Sequence, residues 1–329
     1  MNHLFISLIA VTLLFTACSS TDMKGVENHH SIFIKGSSGN KLEVLDWGGS
    51  GESIFFLGGL GNTGHIFDDF APQLTNAFHV YAITRRGFGA SDQPATGYSE
   101  TTLAKDILAV ADGLHLAKVI LIGHSIAGEE ISKFASLYPD RVSKVIYLDA
   151  AYDRTTPAFT QMQAISIQTV SPTALDSSSF AHWKDFNSRI YGFSFPRDEL
   201  KQIFVFSNKG KYMEEATPAF VSSAIFNSLE HPDYTHIICP ALALYAKFKS
   251  VREVIPSYTE VNAMNKKRAN EFFNLLNRYS NIEQSRFKNE VRNGTVKTID
   301  HANHYIFISN PIETEKEIRV FLKQCRNKL

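Results

Sequence analysis

Ser125 stands between Gly123 and Ala127, behind the apolar run 119–122 and ahead of a stretch, 126–137, whose apolar residues recur at helical spacing. A strand that turns straight into a helix crowds its own backbone, so only small side chains fit two residues either side of the bend. Such a bend lifts the serine hydroxyl above the sheet and aims the first helical N–H groups at whatever the hydroxyl attacks. Gly128 adds further room. The short pattern also arises by chance; the strand before it and the helix after it make this a nucleophile elbow.

The elements needed to position that elbow can be read outward from it. Residues 31–35 and 41–47 flank a Gly-Ser-Ser-Gly turn and predict a β-hairpin. Residues 53–57 are uniformly apolar, as for a strand buried on both faces. They empty into Gly58-Gly59-Leu60-Gly61-Asn62-Thr63-Gly64, where four glycines in seven residues imply unusual turns or a close approach to another group. A helix is predicted over 66–74, a strand over 80–83, a helix over 101–114 and a strand over 145–149. Strand and helix alternate, which argues for a parallel sheet covered on both faces.

From residue 151 to residue 236 the alternation stops, and short helical patches such as 218–229 mix with Pro, Ser, Thr and aromatics. This stretch is too long for a loop and is expected to form a lid over the carboxyl edge of the sheet. The sheet resumes at 241–245. A long basic helix over 262–292 is expected to show solvent a charged face, followed by a strand over 295–299 and a closing helix over 312–323. The expected organisation is a core of 31–150 and 237–329 interrupted by the 151–236 insertion.

Lys and Arg total 33 and Asp and Glu total 33 in 329 residues, with no run of one sign, so a nucleic-acid partner is not expected. Residues 1–17 read as a targeting segment whose apolar stretch is too short to span a bilayer. It ends in Leu14-Phe15-Thr16-Ala17-Cys18, which resembles a bacterial lipoprotein box, with Cys18 as the lipidation residue and 18–30 as a tether. Phe15 stands where Leu is commoner, and no Lys or Arg precedes the apolar stretch; an ordinary secretory leader with Cys18 incidental is the alternative. A lipid-anchored, periplasm-facing protein is the expectation. Acyl chains would hold it with about 0.8 kcal/mol per buried methylene. Cys239 and Cys325 could form a disulfide, but no cysteine or histidine cluster has metal-like spacing, so no metal or cofactor is expected.

With the Gly58–Gly61 loop, the Thr84–Asp92 loop, the Gly123–Gly128 elbow and Ala302-Asn303-His304-Tyr305 in order, the chain resembles the α/β-hydrolase superfamily from about residue 30 onward. The resemblance is strongest to its small esterase, perhydrolase and haloperoxidase-like branch with an inserted cap. It implies an α/β fold, a mostly parallel twisted sheet with helices on both faces and a helical cap inserted after the strand ending at Asp149. A serine hydroxyl is a weak nucleophile until an imidazole takes its proton. The resemblance assigns that base to His304 after the last strand, with His301 as competitor, His124 structural and His65 near the pocket. It assigns the oxyanion-hole N–H groups to Leu60 and Ile126, with Gly59 as the alternative to Leu60 because Gly58 stands where relatives often carry His.

The acid is where the chain departs from the common pattern. Most relatives carry it a few residues after the strand here at 241–245, where this chain reads Ala246-Lys247-Phe248-Lys249-Ser250. Haloalkane dehalogenases carry it after the strand that follows the elbow helix, and here that position is Asp149. Glu253 and Asp153 are the alternatives. The implied activity is hydrolysis of a small-molecule carboxylic ester through an acyl-Ser125 intermediate. A lactone, amide or carbon–carbon bond on the same machinery, or a non-catalytic binding protein of this fold, are the competing readings. No feature points to a protein partner.

Overall fold

The computed structural model describes residues 29–168 and 170–326. The 1–17 leader, Cys18 and nearly all of the 18–30 tether lie outside the described residues. Strands β1 (His30–Lys35) and β2 (Lys41–Gly48) pair antiparallel, and β3 (Ser53–Leu57) and β4 (His79–Ile83) follow. Helix α1 (Glu100–Gly113) leads to β5 (Val119–His124), and α2 (Ala127–Leu137) leads to β6 (Val142–Leu148). Then come α3 (Pro157–Gln163), α4 (Phe180–Tyr191), α5 (Arg197–Ile203), a small hairpin of β7 (Phe204–Phe206) and β8 (Tyr212–Glu215), and α6 (Ala219–Phe226). The chain closes with β9 (Ala241–Lys247), α7 (Val251–Val254), α8 (Ala263–Glu290), β10 (Gly294–Asp300), α9 (Ile306–Ser309) and α10 (Pro311–Arg326).

Eight strands form one sheet in the order β1-β2-β4-β3-β5-β6-β9-β10, parallel from β4 onward. Every residue of β3 and β5 is buried, as the apolar runs 54–57 and 119–122 require of strands covered on both sides. Because side chains alternate across a strand, neighbouring residues feed opposite layers. Phe55 and Leu121 pack with Ile131, Phe134 and Phe287 on one face, while Phe56 and Ile122 pack with Phe67, Phe307 and Ile318 on the other.

The helix expected over 66–74 is two 3₁₀ turns instead, Gly64–Phe67 and Ala71–Leu74. Thr63 caps the first turn, its hydroxyl accepting from the His65 N–H, and Pro72 has no N–H with which to continue an α-helical ladder. No disulfide joins Cys239 and Cys325. No helix among the described residues is long and apolar enough to cross a membrane.

Candidate active site

The bend at Ser125 is as tight as its small flanks suggest. Ser125 has φ +54°, a left-handed conformation that costs a non-glycine residue about 1–3 kcal/mol. Its N–H donates to the Leu148 carbonyl at 3.3 Å and its own carbonyl accepts from the Gly128 N–H at 3.0 Å, so β6 and α2 hold the strain. A methyl group on Gly123 would meet the Ala127 carbonyl oxygen at 3.0 Å, and one on Gly128 would lie 2.0 Å from the Ala150 carbonyl oxygen. Glycine at 128 therefore lets α2 rest directly on the chain leaving β6.

Ser125 Oγ lies 2.9 Å from His304 Nε2, and His304 Nδ1 lies 2.6 Å from Asp149 Oδ2. A carboxylate can only accept, so Nδ1 carries the proton and Nε2 offers its lone pair to the serine hydroxyl. Asp149 is buried, with Oδ1 accepting from the Tyr152 hydroxyl at 2.7 Å and the Ala246 N–H at 3.0 Å. It too adopts a left-handed conformation, φ +47°, and its N–H donates to the Leu244 carbonyl at 2.7 Å. The register between β6 and β9 thus fixes where this carboxylate sits.

The competing residues go elsewhere. His301 is exposed and pairs with Glu253, Nδ1 to Oε1 at 2.9 Å, so the alternative base and one alternative acid occupy each other. Asp153 faces Arg286 Nη1 at 3.0 Å and His231 Nδ1 at 2.6 Å. Lys247 and Lys249, which stand where relatives place an acid, reach Asp300 at 3.3 and 3.5 Å on the surface. His124 is wholly buried and packs against His304 and Tyr305 with ring centroids at 4.7 and 4.5 Å. Burial and the neighbouring His304 depress its imidazole well below the usual range, so it packs as a neutral ring. His65, expected near the pocket, faces Asp68 and Glu43 instead.

The glycine-rich loop lies against the nucleophile: a methyl on Gly59 would meet Ser125 Cβ at 3.2 Å and His124 Nδ1 at 2.9 Å. Buried Arg85 grips this loop from behind, Nη2 donating to the Gly58 carbonyl at 2.7 Å and Nη1 to the Gly59 carbonyl at 3.2 Å. A trans peptide points its N–H opposite to its carbonyl, so fixing the Gly59 oxygen turns the Leu60 N–H away from Arg85. Glu130 on α2 anchors the guanidinium, Oε1 to Nε at 2.5 Å. The loop is also held from the 151–236 segment. Glu199 on α5 accepts from the Thr63 hydroxyl and, at 2.8 Å, from Asn62 Nδ2, and the Tyr305 hydroxyl donates to Asn62 Oδ1 at 3.2 Å. Ile126 follows the serine, its side chain packed with Val221 and Ile225 of α6.

Ser125, Asp149 and His304 open on a cavity of about 320 Å³ whose wall is chiefly apolar. Phe159 and Met162 of α3, Phe226 of α6, and Phe272, Leu276 and Tyr279 of α8 contribute to it. Arg154 also lines the wall, with Nη1 on Glu129 Oε1 at 2.8 Å. Burial pushes Glu129 up to about 8 against the pull of Arg154.

Sequence reasoning assigned no role to Arg85, although it lies in the Thr84–Asp92 loop, nor to Glu130 and Glu199, and expected α8 chiefly as a solvated charged helix. The apolar spacing of Phe272, Leu276, Tyr279 and Phe287 within that basic stretch was the available signal.

Comparison with known proteins agrees with this architecture. Over 101 residues the chain is 34% identical to a 2-(acetamidomethylene)succinate hydrolase of Mesorhizobium japonicum, covering 31% of this chain and 36% of that one. Over 120 residues it is 35% identical to a non-heme chloroperoxidase of Streptomyces lividans, covering 35% and 42%. The chain thus spans about two fifths of the length of these curated relatives. The crystal structure of an E-2-(acetamidomethylene)succinate hydrolase superposes with a TM-score of 0.63 at 20% identity, covering 90% of this chain and 99% of that one. Residues 52–311 match the family model for the alpha/beta hydrolase fold, and the chain belongs to that family.

Proposed function

We propose that the protein is a serine hydrolase that cleaves a small-molecule carboxylic ester through an acyl-Ser125 intermediate. The observation that carries this reading is the unbroken hydrogen-bonded line Ser125–His304–Asp149 at the mouth of an apolar cavity. In the proposed cycle Ser125 Oγ attacks the ester carbonyl while its proton passes to His304 Nε2. The negative charge that develops on the carbonyl oxygen is met by the N–H groups of Leu60 and Ile126, each such donor supplying on the order of 3–4 kcal/mol. Collapse expels the alkoxide, which takes the proton from His304. Water then attacks the acyl-enzyme, giving its proton to His304, and releases the acid as the proton returns to Ser125. Asp149 keeps the ring in the tautomer this cycle requires and stabilises the imidazolium.

The relative named 2-(acetamidomethylene)succinate hydrolase favours keeping an amide among the substrates tested. Purified protein should be labelled by a fluorophosphonate probe, and Ser125→Ala should abolish labelling; labelling that survives the substitution removes Ser125 from the mechanism. Chromogenic esters of rising acyl length, a lactone and an amide then rank the bond cleaved. A folded protein that hydrolyses none of them and resists the probe is a binding protein of this fold.

The same proposal includes export. The 1–17 leader and Cys18 support a lipid-anchored protein facing the periplasm, with 151–236 acting as a cap over the site. Expressed in a bacterial host, the wild type should fractionate with membranes and Cys18→Ala should not. Identical fractionation of the two sinks the anchor.

A further inference from the structure

A second cluster of chemically capable side chains lies beyond the glycine-rich loop, where the chain approaching β1 meets the first 3₁₀ turn. His29, His65 and Asp68 converge there, and one donor atom from each lies within 4.8 Å of the others. His65 Nδ1 is 3.1 Å from Asp68 Oδ2, and His29 Nε2 is 3.5 Å from Asp68 Oδ1. Donors about 2.0–2.2 Å from a tetrahedral zinc ion are themselves separated by roughly 3.3–3.5 Å, close to the distance of each histidine from one Asp68 oxygen, Oδ2 for His65 and Oδ1 for His29. The side chains of His29 and His65 are 8% and 7% exposed, and that of Asp68 is 16% exposed. Asp68 Oδ1 is buried and accepts no hydrogen bond.

A carboxylate also faces the far side of His65. A ring that coordinates through one nitrogen donates its other N–H to a carboxylate, which fixes the tautomer and strengthens the ligand. Here His65 Nε2 faces Glu43 Oε1 at 3.8 Å, an ion-pair distance that would shorten to a hydrogen bond when the metal is bound. Glu43 is itself buried and positioned, Oε2 accepting from the Thr84 hydroxyl at 2.8 Å. The i, i+3 spacing of His65 and Asp68 on one turn sets the two ligands side by side.

We propose that His29, His65 Nδ1 and Asp68 bind a zinc-like divalent ion, with Glu43 orienting His65 and a water completing the coordination. Two imidazoles and one carboxylate are a donor set that suits Zn²⁺, whereas Mg²⁺ and Ca²⁺ call for oxygen. The site is structural. It ties the segment entering β1 to the turn that follows the oxyanion loop.

The test uses the full-length protein stripped with EDTA and titrated with Zn²⁺ against a chromophoric chelator. One equivalent should bind with a dissociation constant below about 1 μM, and Co²⁺ should give the visible bands of a tetrahedral site. His29→Ala and Asp68→Asn should each weaken binding at least about 30-fold, and Glu43→Gln about 10- to 100-fold. Far-UV circular dichroism of His29→Ala should match the wild type, the near-UV band being sensitive to loss of the His29 ring from Trp47, 5.3 Å away. Absence of stoichiometric binding by the wild type, or wild-type affinity in both His29→Ala and Asp68→Asn, overturns the proposal.

Discussion

Asp149 lies 155 residues before His304 in the chain and one hydrogen bond from it in space, Oδ2 to Nδ1 at 2.6 Å. Its other oxygen already takes two donors, the Tyr152 hydroxyl and the Ala246 N–H. In Asp149→Asn the amide oxygen must stay with those two donors, which turns the NH₂ group toward Nδ1. His304 then keeps its proton on Nε2, where it cannot accept from Ser125. Ester hydrolysis should fall about 10³- to 10⁴-fold with KM little changed. Glu253→Gln, whose carboxylate meets His301 and the Lys249 N–H rather than His304, should remain within about threefold of wild type. The opposite ranking in steady-state kinetics would move the acid to Glu253.

Arg85 tests how the oxyanion loop is held. Arg85→Met frees the Gly58 and Gly59 carbonyls and leaves Glu130 buried without its partner, a loss of about 3–5 kcal/mol. Adding Glu130→Leu removes the stranded charge and should restore the melting temperature. If Arg85 aims the Leu60 N–H, kcat in the double variant should still be about 10²-fold low, with KM near wild type. Recovery of kcat along with stability would make Arg85 merely structural.

Gly128→Ala places a methyl 2.0 Å from the Ala150 carbonyl oxygen, one residue beyond Asp149. Backbone must move, at a cost of about 1–3 kcal/mol, and Asp149 moves with it. Both the melting temperature and kcat should drop. An alanine variant that melts and turns over like the wild type would show that α2 is not seated as described.

Glu199 gives a pH signature. Burial pushes its carboxyl up to about 7, against hydrogen bonds from Thr63 and Asn62 that pull it down. The folded state then holds the proton more tightly than the unfolded chain does. This contribution to stability is complete below about pH 4.5 and is lost as pH rises through about 7. Measured by calorimetry from about pH 5 to 8, the wild type should lose melting temperature relative to Glu199→Gln, which has no proton to lose. A difference that stays constant across this range would contradict the assignment.

The elbow, the paired glycines, the buried strands and the break in alternation after residue 150 were legible because each is written in adjacent residues. A strand–serine–helix bend admits only small flanks, and the periods of strand and helix show in a single stretch of chain. The turn at 64–74 was misjudged because Pro72 outweighed its helical spacing. The cavity wall on α8 was hidden among charges, since apolar residues at wide spacing show a shared face only once the helix is seated.

Residue order alone thus determined that a serine would be lifted over a parallel sheet, since that follows from neighbours along the backbone. Only the tertiary structure decided which acid reaches the histidine. Asp149 and Glu253 both follow sheet strands, and the local chain cannot say which one faces His304. The pairing of β6 with β9, carried on by the hydrogen bond from the Asp149 N–H to Leu244, turns Asp149 under His304, while Glu253 is left beside His301.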